Sequence, residues 1–296
     1  MNHRLSLHST IAGNANLASM VQAAKQVGFP CIEPEYHMLY DYLEAGYSVE
    51  QLKALLDGLE VTGVGWLGDI ECQGEQFSEL LKMAAELFEL CGRIGAKGVQ
   101  LLTGPMDVQA VKAYQTDLAY NGYMGLQHLG KERQLDITSA NMAILADMAA
   151  PYGITLYLEP LCWTPLGTIT MGKELIERTN RHNVALVIDF WQCFTAGTTQ
   201  AEIASLPKEM IYGVHIGDGH QPDAGIPDEQ RLRNVPLGEG VIPIKDWIDA
   251  VKSTGFEGWW ACESFDRRQN QMAFHDSVKK NYNDLMELVC LEKGKE

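Results

Sequence analysis

No C-x-x-C pair occurs in this chain, and its seven cysteines (Cys31, Cys72, Cys91, Cys162, Cys193, Cys262 and Cys290) are odd in number and scattered. A disulfide framework or a thiolate metal site would need paired spacings, so reduced thiols in a cytoplasmic protein are expected. Positive charge is also scarce. Against 39 Asp and Glu stand 23 Lys and Arg, a formal net charge of −16. Nucleic acid is therefore not an expected partner, because its recognition needs a basic patch. The apolar runs are too short and too interrupted to span a bilayer, so no membrane association is expected. Met1-Asn-His-Arg-Leu leads straight into a strand-like run, with no visible signal peptide. No Gly-rich phosphate turn follows that run, and no shift in composition marks a linker.

What is present is a recurring motif. Ile154-Thr-Leu-Tyr-Leu-Glu-Pro160 is a short β-rich apolar run that ends on a carboxylate, Glu159, and is then broken by proline. Val184 to Asp189 reads V-A-L-V-I-D, Ile211 to His215 reads I-Y-G-V-H, and Gly258 to Glu263 reads G-W-W-A-C-E. Each looks buried on both faces, as strands of a parallel sheet are. Each ends in a residue able to bind a metal ion. A lone strand-end acid is often a helix cap, and a lone histidine is often a satisfied core group. Four at equivalent positions suggest one site built from four strand ends.

Strand-like runs also occur at Arg4–Ser9, Cys31–Glu35, Val61–Trp66 and Gly98–Leu102. Between them, helices are predicted over Asn16–Val27, Val49–Gly58, Phe77–Ile94 and Ile137–Ala150, with a last helix over Asp276–Leu291 before a charged tail. Alternation of strand and helix implies a parallel sheet. Eight such units in 296 residues fit an α/β chain folded as a (β/α)8 TIM barrel, one domain over residues 1–296. An open doubly wound sheet is the alternative, weakened by the missing phosphate turn. Two stretches exceed simple connections, Thr103–Gln134 and Asp218–Gly240. Both follow strands, so both belong on the C-terminal face of the barrel as lids or substrate walls.

Side chains on a strand alternate faces with a period of two. Tyr157 thus shares a face with Glu159, Val187 with Asp189, Gly213 with His215, and Ala261 with Glu263. If these faces point inward, the four ligands converge at the barrel mouth. Three carboxylates and an imidazole form a fairly hard set suited to one divalent metal ion, Mn²⁺, Mg²⁺, Co²⁺ or Zn²⁺.

The segments L-E-P at 158–160, V-I-D-F at 187–190, V-H-I-G-D at 214–218 and C-E-S-F at 262–265 resemble the sugar phosphate isomerase/epimerase family with the xylose-isomerase-like barrel. The likeness is greatest to its 2-keto-myo-inositol isomerase and ketose 3-epimerase branches. Residues 227–243 resemble the D-x-D-R-x-x-P-G-x-G loop of the inositol isomerase branch. The resemblance implies that Glu159, Asp189, His215 and Glu263 bind the metal, and that Glu159 and Glu263 also move protons on opposite faces of the substrate. Two positions depart from the pattern. Gln192 stands where many members have a histidine, and Gln221 where ketose epimerases have an arginine, with Arg231 and Arg233 further on.

The expected activity is isomerisation or epimerisation by proton transfer next to a carbonyl of a sugar, keto-sugar, inosose or related polyol. Abstraction there develops enolate charge that a divalent cation can stabilise, while two carboxylates act as base and acid. Elimination on the same chemistry, as by an inosose dehydratase or a C-glycoside-cleaving enzyme, is the alternative. An endonuclease-IV-like nuclease and a non-catalytic binding barrel rank lower. Candidate substrate-binding residues are Trp163, Gln192, Asp218, His220, Arg231, His8 and Glu33, with Glu35 sharing the face of Glu33. Trp163 suits stacking on a ring face. Barrels of this type often associate, so a homo-oligomer is an expectation by analogy.

Overall fold

The computed structural model describes residues 4–13 and 15–291. The charged tail predicted at the C-terminus, residues 292–296, lies outside them. The apolar runs form strands β1 (Arg4–His8), β2 (Cys31–Glu33), β3 (Glu60–Val61), β4 (Val64–Leu67), β5 (Gly98–Leu102), β6 (Thr155–Glu159), β7 (Val184–Asp189), β8 (Ile211–Ile216) and β9 (Trp259–Cys262). They pair in parallel in the order β3-β2-β1-β9-β8-β7-β6-β5-β4. A bridge between Glu35, just past β2, and Gly65 of β4 links the two sides, so the sheet is a nearly closed barrel. Helices follow the strands and pack outside, where Leu52, Leu87, Phe88, Leu145 and Leu175 are buried against the sheet.

The third strand differs from expectation. Val61–Trp66 is not one strand but two short pieces, β3 and β4, interrupted at Thr62 and Gly63. The break has a physical cause. The Tyr212 hydroxyl donates to the Thr62 carbonyl (2.6 Å) from inside the barrel. A Cβ on Gly63 would run into the Tyr157 hydroxyl. The chain there accommodates the barrel's aromatic filling, and regular pairing yields to it.

That filling is a small cluster of Tyr157, Val187, Trp259 and Ala261, with Tyr212 packed against it. Tyr157 stacks on Tyr212 with ring centroids 5.0 Å apart, and Trp259 meets both rings edge-on. Gly213 makes room, since a Cβ there would enter the Trp259 ring. Tyr157, Val187, Trp259 and Ala261 occupy the inward face expected from strand parity, just below the strand ends, whereas Tyr212 joins them through a register irregularity in β8 that parity does not foresee.

Three helical segments were not legible in advance. Tyr36–Glu44 is a helix despite its run of aromatic and β-favouring residues, because Met38 and Leu39 bury against the core. The long stretch after β5 contains a helix over Val108–Thr116, and the following helix starts at Lys131 rather than Ile137. Its polar first turns show no apolar periodicity. They are tied by Arg178, which pairs with Glu132 and Asp136. The stretch after β8 holds a single helical turn, Glu229–Leu232. Among the described residues, no helix is long and apolar enough to cross a membrane.

Candidate active site

Glu159 is the last residue of β6 and Asp189 the last of β7, while His215 is the penultimate residue of β8. Glu263 follows β9 by one position, and its amide continues the ladder to Ile216 (3.0 Å). Asp189 and His215 are register partners. The four side chains meet over the aromatic filling. The His215 Nδ1 atom lies 3.5 Å from a Glu159 oxygen and 3.5 Å from a Glu263 oxygen. Single ligand atoms of Glu159, Asp189 and Glu263 lie within 4.8 Å of one another.

Neighbours fix each group. Gln100 donates to Glu159 Oε2 at 2.7 Å. The Asp189 carboxylate caps the following helix by accepting from the Gln192 backbone amide at 2.6 Å, and the Gln192 side chain accepts from the Cys162 amide. His215 Nε2 faces Glu33 Oε2 at 3.0 Å, and the other Glu33 oxygen accepts from the Tyr157 hydroxyl. His8 packs edge-on to His215 with centroids 4.8 Å apart, and its Nδ1 faces the Thr10 hydroxyl.

Arg233 sits in the middle of the acids. Its Nη2 reaches Asp189 (3.1 Å) and Glu263 (3.0 Å), and its Nη1 reaches Glu229 (2.9 Å). The rings of Trp191 and Phe265 lie against its guanidinium at 5.1 and 4.5 Å.

This packing sets the protonation of the site. Burial pushes Asp189 well above the usual carboxylate range; Arg233 opposes the rise and Glu159 and Glu263 add to it. Burial would raise Glu263 too, but Arg233, His215 and His8 hold it well below that range. His215 is driven the other way. Burial disfavours its cation, yet Glu33, Glu159 and Glu263 hold it well above the ordinary histidine range. Burial would raise Glu33, but His215, His8 and the Tyr157 hydroxyl together hold it below the usual carboxylate range.

The donor set suits a divalent cation. His215 Nδ1 is fully buried and has no hydrogen-bond partner, although it points between two carboxylates. Five carboxylates (Glu33, Glu159, Asp189, Glu229 and Glu263) crowd one arginine and one histidine. An unsatisfied imidazole nitrogen amid surplus negative charge is a donor set suited to a divalent cation. The residues fit a metal bound by Glu159, Asp189, His215 and Glu263, with Glu33 orienting the histidine from behind.

A cavity of about 280 Å³ opens above these groups. His8, Glu33, Trp163 and Gln192, all expected from the sequence, line it, as do Glu159 and Glu263. The Trp163 indole donates to the Met106 carbonyl (3.1 Å), which presents its ring to the cavity. Three candidates lie elsewhere. Asp218 is buried as a loop organiser, accepting from the amides of Gly219, Gly238, Gly240 and Ile242. His220 is exposed and does not line the cavity. Arg231 is exposed and pairs with Asp223 at the surface.

The arginine in the site is therefore Arg233, two residues beyond the one favoured from sequence. The spacing Glu229-x-x-x-Arg233 was a usable signal, since residues four apart on a helical turn face each other. Gln100 was also missed. A glutamine sharing the inward face of a strand with Gly98 and Leu102 was its only trace. Glu35, Trp66, Glu229 and Phe265 also line the cavity. Cys162, Cys193 and Cys262 behave as apolar filler, with burial driving each thiol pKa upward.

Comparison with known proteins gives an independent view. A model described as xylose isomerase-like TIM barrel matches residues 21–288. An inosose isomerase of Halalkalibacterium halodurans is 25% identical over 150 residues, covering 49% of this chain and 51% of the relative. That alignment spans about half of the relative's length. An inosose isomerase of Bacillus licheniformis is 22% identical across 95% of both chains. The crystal structure of an IOLI protein with a binding zinc atom superposes with a TM-score of 0.82 at 19% identity, over 97% of this chain and 98% of that one.

Proposed function

Because this chain belongs to the family of xylose isomerase-like TIM barrels, we propose that it is a divalent-metal-dependent isomerase or epimerase of a keto-sugar or inosose. The carrying observation is the unpartnered, buried His215 Nδ1 between Glu159 and Glu263, two carboxylates that line a cavity with tryptophan in its walls. The full-length likeness to an inosose isomerase supports the substrate class.

Glu159, Asp189, His215 and Glu263 hold the metal, Mn²⁺ being preferred for a set rich in carboxylates. When bound, it stabilises the negative charge that develops on the substrate's carbonyl oxygen. Glu263, kept ionised by Arg233, takes the proton from the carbon next to the carbonyl. Glu159, fixed by the Gln100 amide, serves the opposite face and returns a proton there. Trp163 supports the ring face, while His8, Gln192 and Glu229 are placed for hydroxyl groups. Arg233 fixes the positions of Glu263 and Asp189. The whole chain acts as one barrel domain. Its seven unpaired cysteines support a reducing, cytoplasmic location.

The test is metal analysis of the wild type beside Glu159→Ala and His215→Ala, together with incorporation of solvent deuterium into a panel of keto-sugars and inososes. Metal in the wild type, depletion in both variants and metal-dependent exchange are expected. Undiminished metal in both variants would sink the ligand assignment. Exchange followed by loss of water would place the chemistry with the dehydratases instead.

A further inference from the structure

A second cavity, of about 380 Å³, adjoins the first and shares Ser9 and Glu35 with it. It lies on the same end of the barrel, between the segment after β1 and the helix Tyr36–Glu44 with the turn that follows it. The shared wall is thin. The Ser9 hydroxyl donates to one Glu35 oxygen (3.1 Å), and His37 faces the other (3.2 Å). At its far end Tyr42 and Tyr47 stack, with centroids 4.3 Å apart and planes 15° from parallel. Tyr47 stays 49% exposed even though Tyr42 covers one of its faces.

From this arrangement we infer that the second cavity is a subsite for a second, uncharged, hydroxylated ring, so that the substrate is a glycoside rather than a free monosaccharide. The inference rests on the keto-sugar reading above and extends it. Size favours it. The first cavity alone is at the small end of the roughly 300–1,000 Å³ of small-molecule sites, and the two together fall well inside that range. Chemistry favours it as well. Tyrosine faces bind the apolar face of a sugar ring, while the rim of Ser9, Glu35, His37 and Asp41 offers partners for its hydroxyls. Charge excludes the commonest alternative. Among the described residues lining the two cavities there is no lysine or arginine, whereas a phosphate group would need them. The carboxylates of Glu35 and Asp41 would repel it.

Calorimetry on the Mn²⁺-loaded protein tests the subsite with three probes: methyl β-glucopyranoside, cellobiose and glucose 6-phosphate. Cellobiose should bind at least about tenfold more tightly than the methyl glycoside. That ratio should fall towards one in Tyr47→Ala, which removes the platform, and in Ala45→Leu, which fills the cavity from an exposed position. A ratio near one in the wild type, a ratio unchanged in either variant, or tightest binding of the phosphate overturns the proposal. Deuterium exchange into a one-ring keto-sugar is read separately. Exchange with a flat affinity ratio removes the subsite alone. A preserved ratio without exchange removes the proton-transfer reading and leaves the subsite standing.

Discussion

Two residues along a strand separate the barrel's filling from its mouth, and the chemistry inverts over that step. Tyr157 and Glu159 project from the same face of β6, and Gly213 and His215 from the same face of β8. The lower layer is a close-packed aromatic plug. The upper layer is a cluster of acids, one imidazole and one guanidinium. The plug has no room to adjust, as the enforced glycines at 63 and 213 demonstrate. It also keeps water away from the charges above, which strengthens every interaction among them. The Tyr157 hydroxyl crosses the boundary to Glu33, and Glu33 in turn holds His215. Rigid packing below thus orients the polar groups above.

The comparison can be broken at several points. The largest effect is expected in the upper layer. Glu263→Gln keeps the shape but removes the proposed base, so activity should fall by about 10²–10⁴-fold with little change in melting temperature. A variant retaining most of its turnover would reassign the base.

The lower layer should respond in stability instead. Trp259→Ala opens a void beneath the site and should cost about 3–5 kcal/mol in chemical denaturation. Gly213→Ala should cost about 1–3 kcal/mol by overpacking the Trp259 ring. A neutral result for both would mean the plug is looser than its packing implies.

Arg233→Met lies on the seam between the two kinds of effect. It strips Asp189 and Glu263 of their buried partner, which should cost about 3–5 kcal/mol in metal-free protein. Added Mn²⁺ should recover more melting temperature in this variant than in the wild type, because the cation replaces the lost charge. Equal recovery would show that Arg233 and the metal answer to different groups.

Glu71, which anchors the loop after β5 through Gly104 and Tyr123, gives a smaller, pH-dependent effect. Burial raises the Glu71 carboxyl from 4.5 to about 7, against the hydrogen bonds it accepts from the Gly104 amide and the Tyr123 hydroxyl. Its folded form holds a proton more tightly than its unfolded form. Its contribution is therefore fully present below pH 4.5 and is lost as pH rises to about 7. Melting curves of the wild type should decline across that window relative to Glu71→Gln; parallel curves would contradict the assignment. Arg231→Ala, by contrast, should change stability by less than about 0.5 kcal/mol and leave turnover intact, since its side chain is at the surface.

Much of the fold was readable from the chain, and the reason is visible in particular strands. β6, β7 and β8 are apolar on both faces and end in charged residues, a pattern that only a doubly covered parallel strand explains. Strand parity then placed Glu159, Asp189 and His215 without any tertiary information. The helix Tyr36–Glu44 was not legible, because its propensity opposes its conformation and burial of Leu39 decides the outcome. The loop residues were the least legible. Asp218 and Arg231 looked like site groups by proximity in sequence, yet four backbone amides claim the first and solvent the second.

The sequence alone did not foresee Tyr212, turned inward by a register irregularity in β8. It did determine that Glu159, Asp189, His215 and Glu263 face the barrel axis, because alternation along a regular strand is a local property of the backbone. It therefore determined the set of strand-end groups and the class of chemistry they suit. Only the tertiary structure decided that Arg233 rather than Arg231 enters the acids, that Gln100 holds Glu159, and that a second cavity opens beyond Ser9 and Glu35. Those outcomes depend on how irregular segments fold back over the barrel, and no periodicity in the chain encodes the path of a loop.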